Sequence, residues 1–122
     1  MTDRQPVPQT NLDRYGNPVI AWSRAHELLS GGPRGPLAGF FLSTVGPDRG
    51  PHAAGIGAVW HDEDLYFTSG PRTRKARNLA SNPACTIAVK YPGLDLTLEG
   101  TAPKISEPVV LEQVAGIYRD IG

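Results

Sequence analysis

At 122 residues the chain has the length of one domain, enough for a real core but small enough that oligomerisation would help to bury surface. Twelve acidic residues balance twelve basic ones, which argues against general affinity for nucleic acid or for an acidic membrane surface. A single cysteine, Cys85, excludes an internal disulfide and a thiolate metal cluster, and it fits a reducing cytoplasm.

The first twenty residues are polar and broken by proline, with Tyr15-Gly16-Asn17-Pro18 as a turn, and read as an extended arm. Met1 to Pro6 carries no apolar run, so no signal peptide is expected, and no stretch approaches membrane-spanning length. Trp22 to Leu29 is predicted helical, with Ser23 near its start and Ser30-Gly31-Gly32-Pro33 ending it. Gly31 to Pro36 is predicted loop, and strands follow. Gly39 to Val45 is rich in β-formers, and Gly46-Pro47-Asp48-Arg49-Gly50 is a strong turn signal. Pro51 to Trp60 reads as one second strand, with His52, Ala54, Ile56, Ala58 and Trp60 on one face and Ala53, Gly55, Gly57 and Val59 on the other. Glycine inside a strand weakens it unless something flat must approach the backbone closely.

His61-Asp62-Glu63-Asp64 predicts a solvated hairpin into a third strand, Leu65 to Thr68. A helix from Thr73 to Ser81 ends at Asn82-Pro83. A fourth strand, Ala84 to Tyr91, turns Cys85, Ile87 and Val89 inward, which makes Cys85 a small buried hydrophobe. A fifth strand alternates Leu94, Leu96 and Leu98 inward with Asp95, Thr97 and Glu99 outward. The last helix starts near Glu107, with Ser106 as candidate N-cap, Pro108 in the first turn and Val110, Val114, Ile117 and Tyr118 as its apolar stripe. Five strands with two or three helices predict a mainly β (α+β) fold, a small antiparallel barrel.

The most informative segment is Gly70-Pro71-Arg72-Thr73-Arg74-Lys75-Ala76-Arg77-Asn78-Leu79. Four basic residues occupy six positions, and no Asp or Glu occurs between Leu65 and Leu94. A strand feeding a basic helix start is suited to a phosphate: free backbone N–H groups, the positive end of the helix dipole and nearby cationic side chains converge on one anion. Thr73 is a plausible N-cap, so the cap and the anion site would coincide. The same pattern also describes a solvated basic turn.

Taken together with Gly46-Pro47-Asp48-Arg49-Gly50-Pro51-His52, Leu65-Tyr66-Phe67-Thr68-Ser69-Gly70 and the terminal Asn82-Pro83, this segment resembles the pyridoxamine 5′-phosphate oxidase-like split β-barrel family of flavin- and deazaflavin-dependent oxidoreductases. The similarity spans about residues 37 to 120; residues 1–36 form an arm and short helix before a split-barrel domain at 37–122. The resemblance implies a homodimer that holds FMN or the deazaflavin coenzyme F(420) in a groove between subunits and transfers hydride to or from a small organic molecule. It assigns the cofactor phosphate to Thr73, Arg74 and Lys75, with Arg77 and Asn78 completing the helix start. Thr68 and Ser69 would meet phosphate or ribityl oxygens, and the backbone of Ile56, Gly57, Ala58 and Val59 would lie along the ring. It implies no catalytic side chain and no metal.

The chain lacks the arginine and lysine that the oxidase proper carries on its second strand, and it ends at Gly122 before the oxidase's substrate-binding arginine and histidine. Pyridoxamine phosphate oxidation is therefore not expected. The family's usual final strand would also lie beyond Gly122, so the chain reads as a short or C-terminally truncated form. A non-catalytic protein that stores or delivers the coenzyme is the alternative, and a plain interaction domain using its basic loop is a weaker one. His26, His52 and His61 are too scattered for a metal site; His52, at the mouth of the glycine-bearing strand, is the one to watch. Neither Ser43 nor Ser69 has a nucleophile's sharp turn, and Trp60 and Tyr66 read as strand core.

Overall fold

The structure, a computed structural model, describes residues 9–31 and 39–121. The predicted loop from Gly31 to Pro36 and the extreme N-terminus fall largely outside that range. Nine elements follow in order: α1 (Trp22–Ser30), β1 (Phe40–Val45), β2 (Pro51–Ile56), β3 (Ala58–His61), β4 (Asp64–Phe67), α2 (Arg74–Ser81), β5 (Ala84–Tyr91), β6 (Leu94–Thr101) and α3 (Pro108–Ile121). All strand pairs are antiparallel, as predicted. They form a four-stranded sheet in the order β2-β1-β5-β6 and a separate β3-β4 ribbon.

The predicted second strand is two strands. Its first half pairs with β1, from Phe40 opposite Ile56 to Val45 opposite Pro51. Its second half pairs with β4, from Ala58 opposite Phe67 to His61 opposite Asp64. Gly57 lies between and belongs to neither ladder, so six strands replace the five expected. Burial alternates through Gly57 as far as Ala58, which is why the sequence reads as one run, and Val59 is then buried on the face where Gly55 and Gly57 are exposed.

In the four-stranded sheet the pleat separates two faces. Leu42, Thr44, Ile87 and Val89 are buried on the inner one, and Leu42 has no exposure at all. The outer face carries Phe41, which pairs across to Gly55 on one side and Ala88 on the other. The α1 stripe Trp22, Ala25 and Leu29 is buried with Leu94, and Phe40, Trp60, Leu65, Tyr91, Leu96 and Leu98 pack around it. The N-terminal helix thus shares one core with strands from both sheets. Cys85 is half-buried, and burial pushes its thiol pKa upward.

The β3–β4 hairpin departs from expectation in one respect. Asp62 and Glu63 both adopt left-handed backbone, φ 47° and 66°, in a two-residue turn that usually selects Asn-Gly. Glu63 is not solvated: its side chain is 8% exposed and both carboxylate oxygens lie at 2.9 and 3.1 Å from His26 Nε2. The His26 ring sits between Trp22 and Trp60, with centroids 6.3 and 5.7 Å away. This contact ties α1 to the hairpin and holds Glu63 in a conformation that its bulk disfavours. α3 begins at Pro108, so Ser106 lies one residue outside the capping position, and the Glu107 carbonyl accepts from Leu111 N–H. No helix among the described residues is long and apolar enough to cross a membrane.

Replacing Leu42 with Ala should destabilise the fold by about 2–5 kcal/mol, the range for emptying a well-packed leucine site. The outward neighbour change Ser43→Ala should stay within about 0.5 kcal/mol. Urea denaturation of both variants checks the inner and outer assignment.

Candidate functional site

The start of α2 is built by a small set of hydroxyls. Thr73 is the N-cap, as expected, with extended backbone and with Oγ1 accepting from Ala76 N–H at 3.3 Å. Its hydroxyl donates to the Gly70 carbonyl at 2.8 Å and lies 2.7 Å from Ser69 Oγ. The Thr73 amide also returns to the Gly70 carbonyl, at 3.2 Å, closing the turn. Arg77 N–H starts the helical ladder on Thr73 O. Among the described residues, the amides of Arg74 and Lys75 are left without a partner, as the first turn of any helix requires. Both point along the positive end of the helix dipole.

The basic side chains divide. Arg74, Arg77 and Asn78, at helical spacing, share one face and line a cleft of about 600 Å³ with Gly46, Pro47 and Asp48 of the β1–β2 turn. Lys75 is half-buried and is not part of that cleft. Among the described residues Arg72, Arg74, Lys75 and Arg77 make no ion pair; Lys90 pairs with Asp95 at 2.8 Å and Arg119 with Glu112 at 3.0 Å. Gly46 is closely approached at the cleft by two side-chain oxygens. A Cβ there would stand 2.9 Å from Asp48 Oδ1 and 3.2 Å from Asn78 Oδ1.

Asn78 does more than continue the helix. It is 4% exposed, and its Nδ2 donates to Oγ1 of the buried Thr44 at 3.1 Å, which anchors α2 on β1. The signal for this was a polar residue on the inward side of the helix, but nothing in the sequence named Thr44 as its partner. His52, opposite Thr44 on β2, is half-buried and its Nδ1 is buried without a hydrogen-bond partner.

The other predicted site residues lie along the sheet crossover. Val59 is buried, so only its backbone is available; Ile56 and Ala58 are half-buried, and Gly57 is exposed. A Cβ added at Gly57 meets nothing within 4 Å, so the peptide borders open space on its side-chain face. Thr68 and Ser69 are exposed just after β4. A residue outside the predicted set joins them: Tyr118 of α3 donates its hydroxyl to the Gly57 carbonyl at 2.5 Å. Sequence reasoning placed Tyr118 in the apolar stripe, because its periodicity fits and nothing local signals a partner 61 residues away. No group of three His, Cys, Asp or Glu side chains among the described residues is placed to hold a metal ion.

Comparison with known proteins adds an independent observation. A family model described as pyridoxamine 5′-phosphate oxidase matches residues 38–120. Among solved structures, an F(420) reductase is 26% identical, with 76% of this chain and 75% of that one covered and a TM-score of 0.58. The conserved hypothetical protein Rv2991 from Mycobacterium tuberculosis is 20% identical over 78% of this chain and 59% of its own, with a TM-score of 0.66. General Stress Protein 26 from Bacillus anthracis is 23% identical over 79% and 76%, with a TM-score of 0.57. The last two are similar in fold alone. A comparison with curated proteins found no match.

Thr73→Ala removes the cap and the contact with Ser69. It should cost about 1 kcal/mol, as other threonine caps do. Thermal unfolding of the variant beside wild type measures it.

Proposed function

The chain belongs to the pyridoxamine 5′-phosphate oxidase family, and from that premise we propose that it binds FMN or the deazaflavin coenzyme F(420) and transfers hydride to or from a small organic molecule. One observation carries the reading. Among the described residues the start of α2 presents two unpaired backbone amides and a cluster of cations free of ion pairs, capped by the Thr73 and Ser69 hydroxyls. That donor set suits a phosphate mono- or diester. The open side of Gly57 suits a flat ring lying against the backbone.

In this reading Arg74 and Lys75 hold the phosphate, with Thr73 and Ser69 at its rim and Arg77 and Asn78 shaping the helix face. Thr68 meets the ribityl oxygens, and the backbone from Ile56 to Val59 supports the ring. The bound cofactor supplies the hydride chemistry; the protein anchors, orients and excludes water. The substrate is a small organic hydride donor or acceptor, and the lone cysteine suits work in the cytoplasm. Loaded protein that turns over no acceptor would instead be a carrier.

A second copy of the chain is proposed to complete the groove. The outer face of the four-stranded sheet supports this: Phe41 is 57% exposed between the small cross-strand neighbours Gly55 and Ala88. Sedimentation at micromolar concentration should give a dimer, and Phe41→Glu should shift it toward monomer. A wild-type monomer overturns the shared groove.

Titration with FMN and with the deazaflavin coenzyme tests the site itself. Arg74→Ala and Lys75→Ala should each weaken binding by roughly ten- to a hundredfold, the value of one charge-assisted hydrogen bond. Both positions are at a helix start and away from the core, so melting temperatures should stay near wild type. Unchanged dissociation constants in both variants would mean that the segment is a solvated basic turn.

A further inference from the structure

We propose that Tyr118 is a positioning residue of the cofactor groove, its hydroxyl fixing the crossover peptide at Gly57 against the end of β4 and so setting the distance between the ring wall and the ribityl wall. This rests on the cofactor reading above. Tyr118 comes from the last helix, far in sequence from both walls. Its single proton goes to the Gly57 carbonyl at 2.5 Å; the Tyr66 carbonyl, at 3.4 Å, stands at the edge of hydrogen-bonding range. One hydroxyl therefore reaches both the crossover carbonyl of Gly57 and a carbonyl of β4.

Gly57 is the place where such a tie has the largest effect. It belongs to neither ladder, so no cross-strand bond fixes the direction of its peptide. A ring lying along Ile56 to Val59 would read that direction. Packing alone does not call for a hydroxyl here, because Val110, Val114 and Ile117 already form the apolar stripe of α3, with Val114 buried. Partial burial also raises the pKa of the phenol, so it stays a donor throughout the neutral range. A raised phenol pKa leaves stability unaffected below the ordinary tyrosine value near 10 and withdraws it as pH climbs through the raised one.

Tyr118→Phe keeps the ring and deletes the tie. The full-length variant should bind FMN and the deazaflavin coenzyme roughly three- to tenfold more weakly. The absorption spectrum of its bound cofactor should also move toward that of free cofactor, a change that loss of stability alone does not produce. Lys75→Ala serves as the comparison, with weakened binding but a wild-type spectrum for the bound fraction. Wild-type affinity and spectrum in Tyr118→Phe beside weakened Lys75→Ala would overturn the role of Tyr118 and leave the phosphate site standing. No change in either variant would overturn the site as well. If Tyr118→Phe does not fold, replacing Tyr118 with difluorotyrosine brings the phenol's titration into the neutral range without altering its shape. FMN affinity should then fall with rising pH where wild type stays level, and matching profiles would refute the proposal.

Discussion

Everything at the candidate site depends on one peptide, that of Gly57. The chain leaves the four-stranded sheet and enters the β3–β4 ribbon through this residue, which pairs with neither. Backbone polar groups taken out of a ladder must find other partners, and here the carbonyl finds the Tyr118 hydroxyl. The consequence reaches in both directions along the chain. Upstream, the crossover sets where Ile56 ends against Phe40; downstream, it sets the register of Ala58 against Phe67 and so the position at which Thr68 emerges from β4. A side chain at residue 57 would meet no steric obstacle within the protein. Packing among the described residues therefore does not demand the glycine.

The second constraint is electrostatic, and it is local. The chain carries no net charge. Among the described residues the four cations around α2 have no acidic partner, and neither do Arg14, Arg24, Arg49 and Lys104. What sets the α2 group apart is its density, four cations in the six positions from Arg72 to Arg77. They stand beside two helix amides that the cap does not use. The donors are also held on a rigid element. Asn78 anchors α2 to the buried face of β1 through Thr44, and this ties the helix to the sheet rather than to a loop.

Much of this was legible in the sequence wherever a residue's role is decided by its neighbours. The Thr73 cap, the inward Leu94, Leu96 and Leu98, the helix from Trp22 and the β1–β2 turn all follow from local pattern and turn chemistry. What was not legible depends on partners distant in the chain. The break at Gly57 is a change of hydrogen-bonding partner, from β1 to β4, that no local residue pattern announces. Glu63 in left-handed backbone is a poor turn residue by propensity, and it is accommodated because His26, 37 positions earlier, holds its carboxylate. Asn78 with Thr44 and Tyr118 with Gly57 are likewise long-range, and in each case a polar atom sits at a position that periodicity alone assigns to packing.

These long-range contacts share a logic. Each joins a helix to a strand or strand end that carries part of the site: α2 to β1 through Asn78, α3 to the crossover through Tyr118, α1 to the hairpin through His26. The sheets alone would leave the groove's two walls free to shift, because the four-stranded sheet and the β3–β4 ribbon share no ladder. The helices supply the definition that the missing ladder would give, each by a hydrogen bond to a strand or strand end. Polar side chains in the interior thereby hold the shape of the candidate site.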